Sequence, residues 1–366
     1  MTIETTTDFD GGGAVEITVD ARRNHIDLVQ ADPQGYHSPL FLFRLDDAGG
    51  ETVSFTVDHE ASRMPADHRL VYATDYESLE WARFDESVGG GFERTFERDE
   101  VYIAGWQAYP YEHVVDWVAE LDAHPCVETT VIGRSWEGRD IHAVRISDPA
   151  VPDAEKDAIV SIARQHPGET QGAYHMHAVI DDVLAKFNRD AYAGAYAFHF
   201  IPDANPDGIS HCSHRFDMQG RDPNRQWTAA DPTPEIAAIT SYIAGISADI
   251  VWAFDMHAST NPTFEAIHYD PRVATSADVH AVGRMADHIT SFSGANAVAD
   301  AGYSTNWFAS ELDTTCAITE AYTYADYTVS ELLTEGYHLI ADVNRVVDLT
   351  GPDYDRLHGE WIRPTG

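Results

Sequence analysis

At 366 residues the chain is too long for one average domain and about right for two, and a hydrophobic content of 43% with 11% aromatics excludes a disordered polypeptide. Its 61 acidic residues against 23 basic ones leave a net charge of -38, which argues against nucleic acid or an anionic membrane surface as a partner. The acids are spread along the chain instead of forming a tail, so we expect adaptation to a salt-rich cytoplasm, as in halophilic archaea, where screening relieves self-repulsion.

The amino terminus, MTIETTTDFDGGG, lacks a basic start and an apolar run, so no signal peptide is expected. No stretch approaches the ~18 consecutive apolar residues of a membrane span. Residues 1–108 read as β. Segments 14–19, 40–44 and 52–57 alternate or run apolar with β-branched and aromatic residues, and Gly- and Asp-rich breaks such as 46–50 separate them. Short strands at this spacing predict an antiparallel β-sandwich domain. It carries no cluster of ligands or nucleophiles, so no chemistry is expected of it.

Residues 109–366 read differently. A helix is predicted over 112–122, a strand over 157–163, a helix over 169–187 and a strand over 196–201. A helix over 234–245, a strand over 249–255, a helix over 277–291, a strand over 315–320 and a helix over 328–347 follow. The alternation predicts an α/β domain, a mixed, largely parallel sheet with helices on both faces and sites at the carboxyl ends of its strands. Cys126, Cys212 and Cys316 are odd in number and far apart, so neither a disulfide framework nor a cysteine-bound zinc is expected and the protein reads as cytoplasmic.

Three segments carry chemistry. Arg164-Gln-His-Pro-Gly-Glu-Thr170 follows an apolar strand, and Pro167-Gly168 supplies a turn that can bring His166 and Glu169 onto one ion. His257 closes the apolar run from Val251 and could be the third ligand that a catalytic zinc needs, with Asp255 on the same strand face behind it. Any one of 19 histidines is more simply a hydrogen-bonded side chain, so these two segments alone leave the metal open. The long loop from 202 to 227 contains Asn205-Pro-Asp-Gly208 and clusters Arg215, Asn224 and Arg225 in a chain poor in bases; the guanidinium fork suits a carboxylate.

Taken in this order, and with Asp255-Met-His257, these motifs resemble the zinc carboxypeptidase superfamily, most closely its cytosolic carboxypeptidase-like branch. Phe9-Asp-Gly-Gly, Trp81-Ala-Arg83, Tyr109-Pro-Tyr111 and the run from Gly133 to Arg139 extend the resemblance to the amino-terminal β domain of that branch. The resemblance implies one zinc ion held by His166, Glu169 and His257, with Glu320 as the catalytic base. It implies that Arg215 steadies the scissile carbonyl, that Asn224 and Arg225 bind the terminal carboxylate of peptides or proteins, and that Thr305 lines the side-chain pocket. The branch is associated with acidic terminal residues, for which Arg164 or Arg221 would be the partner; the small, neutral Thr305 argues against lysine or arginine. Pro223 and Ala258-Ser259 depart from the family pattern, and the position of its mobile tyrosine falls near Val298, with Tyr303 as a substitute.

Two rivals remain. A deacylase resembling aspartoacylase or succinylglutamate desuccinylase would share the metal site and cleave N-acyl amino acids. A non-catalytic module would only hold carboxylated peptides on the arginine loop.

Overall fold

The computed structural model describes residues 3–36, 40–58, 68–78, 80–85, 91–187, 192–259, 267–270, 272–273, 295–297, 302–322, 328–334 and 336. The expected helix at 277–291, most of that at 328–347 and Val298 lie outside the described residues.

The amino-terminal 104 residues supply two sheets. One has five strands in the order Glu4–Thr6, Leu42–Asp46, Val101–Ala104, Val71–Ala73 and Ala82–Arg83, every pair antiparallel. The other has the order Val15–Asp20, His25–Gln30, Thr52–Val57 and Gly91–Thr95. One pair departs from the expected antiparallel pattern: His25–Gln30 and Thr52–Val57 run parallel, because the chain passes through the other sheet between them. Phe84 meets Phe55 and Phe92 of one sheet and Tyr72 of the other, with ring centroids 5.3 to 5.8 Å apart and planes steeply inclined.

Eight further strands form one mixed sheet in the order Val127–Arg134, Asp140–Ile146, Tyr196–Ile201, Asp157–Ala163, Asp249–Ser259, Cys316–Tyr322, Ile267–Tyr269 and Ala295–Ala297. The four central strands, from Tyr196–Ile201 to Cys316–Tyr322, are mutually parallel. Asp157–Ala163 is central because it is apolar on both faces. Its alternate residues enter different cores: Ile159 and Ala163 join one buried cluster, Val160 and Ile162 the other. The second cluster is closed by Ile236, Ile239 and Ile243 of the helix Pro234–Ala244. The first runs without a break through Leu40–Phe43 and Trp106 into the amino-terminal sheets, so both parts of the chain share one apolar interior.

The motifs outside the site build the junction. Asn205 caps the short helix Pro206–Ser210 and donates to the carbonyls of Gln165 and Phe216. Asp207 accepts from Ser135 Oγ, the Glu137 amide and Arg139. Asp10 likewise accepts from Ser210 Oγ and the Glu112 amide.

Parallel pairing places the site. Ala163 lies opposite Met256, and His257 lies opposite Glu320 on the next strand. His257 is not the last residue of its strand, as its sequence suggested. The strand continues to Ser259 because its partner continues to Tyr322.

Candidate metal centre and active site

The chain leaves Asp157–Ala163 through Arg164, which takes a left-handed φ of 63° and turns the next residues back towards the sheet. The guanidinium of Arg164 is buried and donates to the carbonyls of Pro167 and Tyr109 at 2.6 and 3.0 Å. Burial pushes it down to about 10. Arg164 is thus a brace for the turn, not the partner of an acidic substrate side chain. Gly168 passes so close to His214 that a Cβ would lie 2.6 Å from its ring nitrogen. The helix Thr170–Phe187 then starts directly behind Glu169.

His166 and His257 converge on Glu169. Their Nδ1 atoms lie 2.8 and 2.7 Å from its two carboxylate oxygens, and one ligand atom from each residue falls within 4.8 Å of the others. All three side chains are buried. Behind each ring stands a second carboxylate: His166 Nε2 is 3.1 Å from Asp222 and His257 Nε2 is 3.0 Å from Asp255. At His166 the carboxylate of Asp222 keeps the proton on Nε2 and turns the Nδ1 lone pair towards the centre. Burial would raise the Glu169 carboxyl, but the two imidazoles outweigh it and hold it well below the usual range. Burial would likewise lower His257, and Asp255 with Glu169 raises it instead. Two imidazole nitrogens and a carboxylate, buried and oriented from behind, are the donor set of a divalent ion of the zinc type.

Asp222 was not singled out in the sequence, and it ties together three residues of the site. Besides His166 it receives both Nε and Nη2 of Arg215, at 2.9 and 2.6 Å. It also caps the 3-10 turn Pro223–Arg225 through the Asn224 amide. Its place two residues before Asn224 was the available signal. Pro223 opens that turn, where a missing N–H costs nothing, so this departure from the expected pattern leaves the turn intact.

Asn224 is buried, and its Oδ1 accepts from the Ser304 amide at 3.2 Å. Because an amide N–H only donates, this contact fixes which way the side chain faces and turns its NH2 towards His257, 3.1 Å away. Arg225 donates to the Asn224 carbonyl at 2.7 Å, and its guanidinium lies 3.9 Å over the Tyr303 ring. Glu320 is raised to about 8, first by burial and then by Glu169, with Asp255 adding and His257 and Arg215 opposing. Thr305 is buried in the first turn of the helix Ser304–Glu311, and its Oγ1 has no hydrogen-bond partner among the described residues. Arg221 is spent on Asp217.

The amino-terminal part of the chain, expected to carry no chemistry, reaches the site through the loop after the strand His25–Gln30. Asp32 accepts from the His214 amide at 2.6 Å, Gln34 donates to the Met218 carbonyl, and Tyr36 stacks on His214 with centroids 4.9 Å apart. The Tyr36 ring lies 5.6 Å from the Arg215 guanidinium. Sequence reasoning missed these contacts because they join residues about 180 positions apart.

Residues 114–298, half of the chain, match the sequence profile of the zinc carboxypeptidase family. The chain belongs to the zinc carboxypeptidase family. That family is zinc-dependent, and His166, Glu169 and His257 form a possible site for its ion. The fold is similar to that of a metallo-carboxypeptidase from Burkholderia cenocepacia, with a TM-score of 0.79 at 21% identity, covering 96% of this chain and all of that one. Cytosolic carboxypeptidase 6 of Caenorhabditis elegans is 29% identical over 210 residues, 54% of this chain and 44% of that protein. An uncharacterised protein of Zymomonas mobilis is 24% identical over 70% of this chain and 68% of its own length. The chain thus spans less than half of the cytosolic carboxypeptidase it matches.

Proposed function

We propose that this zinc carboxypeptidase removes single residues from the carboxyl ends of peptides or proteins. One observation carries the reading: a buried His166–Glu169–His257 centre has Glu320 opposite His257 and an arginine–asparagine group on its rim. His166, Glu169 and His257 would hold one zinc ion, which supplies Lewis-acid polarisation of the scissile carbonyl and makes water a nucleophile near neutral pH. Glu320 takes the proton from the attacking water and passes it to the departing amine, so that water adds across the broken C–N bond. Arg215, held rigid by Asp222, donates to the carbonyl oxygen as negative charge develops on it. Arg225 and the NH2 of Asn224 take the terminal carboxylate and thereby restrict cleavage to chain ends.

A neutral terminal residue suits the pocket better than an acidic one, because Arg164 and Arg221, the expected partners of an acidic side chain, are committed to Pro167, Tyr109 and Asp217. Thr305 offers a small, neutral hydroxyl there, which gives a basic side chain no counter-charge. We read residues 1–108 as a β-sandwich domain and 109–366 as the catalytic domain. The net charge of -38 supports a salt-rich cytoplasm as the working environment, away from nucleic acid and membranes. No described helix is long and apolar enough to cross a membrane.

The test is a mass-spectrometric ladder from peptide carboxyl termini in about 3 M KCl, with and without a chelator. Stepwise loss of terminal residues that stops on chelation and returns with zinc is expected. Intact peptides alongside hydrolysed N-acyl amino acids would overturn the reading in favour of the deacylase.

A further inference from the structure

We propose that Tyr303 is a positioning residue for substrate: the face of its ring, not its hydroxyl, holds the Arg225 guanidinium where the terminal carboxylate is received. The proposal rests on the reading of Arg225 given above.

Three consecutive residues grip the Asn224–Arg225 pair. Gly302, at a left-handed φ of 81°, lies against Arg225 so closely that a Cβ would sit 2.5 Å from the Arg225 carbonyl oxygen. Its own carbonyl accepts from the Trp227 amide at 3.2 Å. The Ser304 amide fixes the Asn224 side chain, and Ser304 Oγ donates to Asp255, the carboxylate behind His257. Between these two anchors, Tyr303 has its backbone held on both sides, and its ring lies across Arg225.

A guanidinium carries five N–H donors in one plane. Arg225 commits Nη1 to the Asn224 carbonyl, and the Tyr303 ring covers one face of the plane. The two restraints fix both the rotation and the tilt of the fork, while its remaining edge stays available for a bidentate carboxylate. Among the many acids of this chain, a free arginine would otherwise have competing partners. The ring supplies attraction without offering one: it holds the cation by its quadrupole and leaves the donors unspent. Tyr303 was a substitute for the family's mobile tyrosine by sequence, a role that needs its hydroxyl. The stacked geometry needs only the ring.

The clamp binds the ground state and the transition state alike, so its weakening should raise KM and leave kcat nearly unchanged. The experiment measures kcat, KM, zinc content and Tm in high salt for Y303F, Y303A, R225A and the double variant Y303A/R225A, on a blocked dipeptide with a neutral terminal residue. The expected result is Y303F within about 2-fold of the parent and Y303A with KM raised about 3- to 30-fold. Zinc content should be unchanged in all four. The double variant should be no worse than R225A alone, because both substitutions remove one interaction. Y303F as impaired as Y303A, with kcat falling, would overturn the proposal in favour of a hydroxyl role. An unaffected Y303A beside an impaired R225A overturns it while the reading of Arg225 stands. An unaffected R225A overturns both.

Discussion

Asp222 offers the sharpest test of how the centre is assembled, because its two oxygens have different duties. Oδ1 faces His166 Nε2 and the Asn224 amide, and Oδ2 takes both donors of Arg215. An asparagine of the same shape has one oxygen and one NH2. It can satisfy the Oδ1 side or the Oδ2 side, and its NH2 then meets donors on the other. Two contacts of the turn and the ring favour keeping the oxygen at Oδ1, so D222N should lose Arg215 and retain His166. Loss of an oxyanion donor costs about 10²- to 10³-fold in kcat, whereas zinc affinity should hold within a few-fold. D222A removes both sides. It should lower zinc affinity by a further factor of about 10–100, or roughly 1.4–2.7 kcal/mol, the usual cost of an outer carboxylate behind a histidine ligand. Zinc affinity is read by competition with a chromophoric chelator, and kcat on zinc-saturated protein. D217N is the control, since Asp217 holds Gln219 and Arg221 in the same loop without touching the centre. Zinc bound to D222A as tightly as to the parent, or equal damage from D217N, would refute the assignment.

E320Q should keep its zinc and lose turnover by about 10²- to 10⁴-fold, measured as kcat beside metal content. In the chelated protein the raised carboxyl of Glu320 has a further consequence. Stability from its protonated form is fully present below the ordinary value of 4.5 and is lost as pH rises through about 8. The Tm advantage of chelated E320Q over the chelated parent should therefore grow between about pH 5 and pH 9; parallel curves would count against it. D32A leaves the buried His214 amide without its acceptor, at a cost of about 1–3 kcal/mol in stability. It should also lower kcat several-fold through the Arg215 loop with zinc affinity intact, and an unchanged kcat would separate Asp32 from the site. The parent's Tm should rise from about 0.1 M to about 3 M KCl as screening relieves the charge; no rise would remove the case for a saline environment.

Much of the fold was legible because it is encoded locally. The expected strands at 157–163 and 196–201 and the helix at 234–245 match the observed elements to within a residue, since apolar periodicity and short loops define them without outside help. The convergence of His166, Glu169 and His257 was legible for a related reason. Each sits at or near the carboxyl end of a parallel strand, and neighbouring strands in register must bring those ends together. The parallel pair in the amino-terminal sheet was not legible, because strand direction there depends on where an intervening segment pairs.

What remained hidden has one physical cause: outer groups of the site are chosen by geometry across the chain, not by neighbours along it. Asp222, Ser304 and Asp32 belong to residue types that are abundant here, and nothing local separates them from solvated surface acids or serines. The role of Ser304 follows from closure of a loop of contacts. His257 lies on Asp255, Asp255 accepts from Ser304, Ser304 fixes Asn224, and Asn224 returns to His257. Ser304 makes two ordinary hydrogen bonds, each worth about 1 kcal/mol net, and His257 Nε2 stands 3.0 Å from Asp255 and 3.1 Å from the Asn224 NH2. Closed into a ring, the links restrict one another, so the metal ligand and the carboxylate clamp cannot reorient independently. On the proposed function, a substrate carboxylate settling on Asn224 would bear on His257 and tie recognition of a chain end to the geometry of the metal centre.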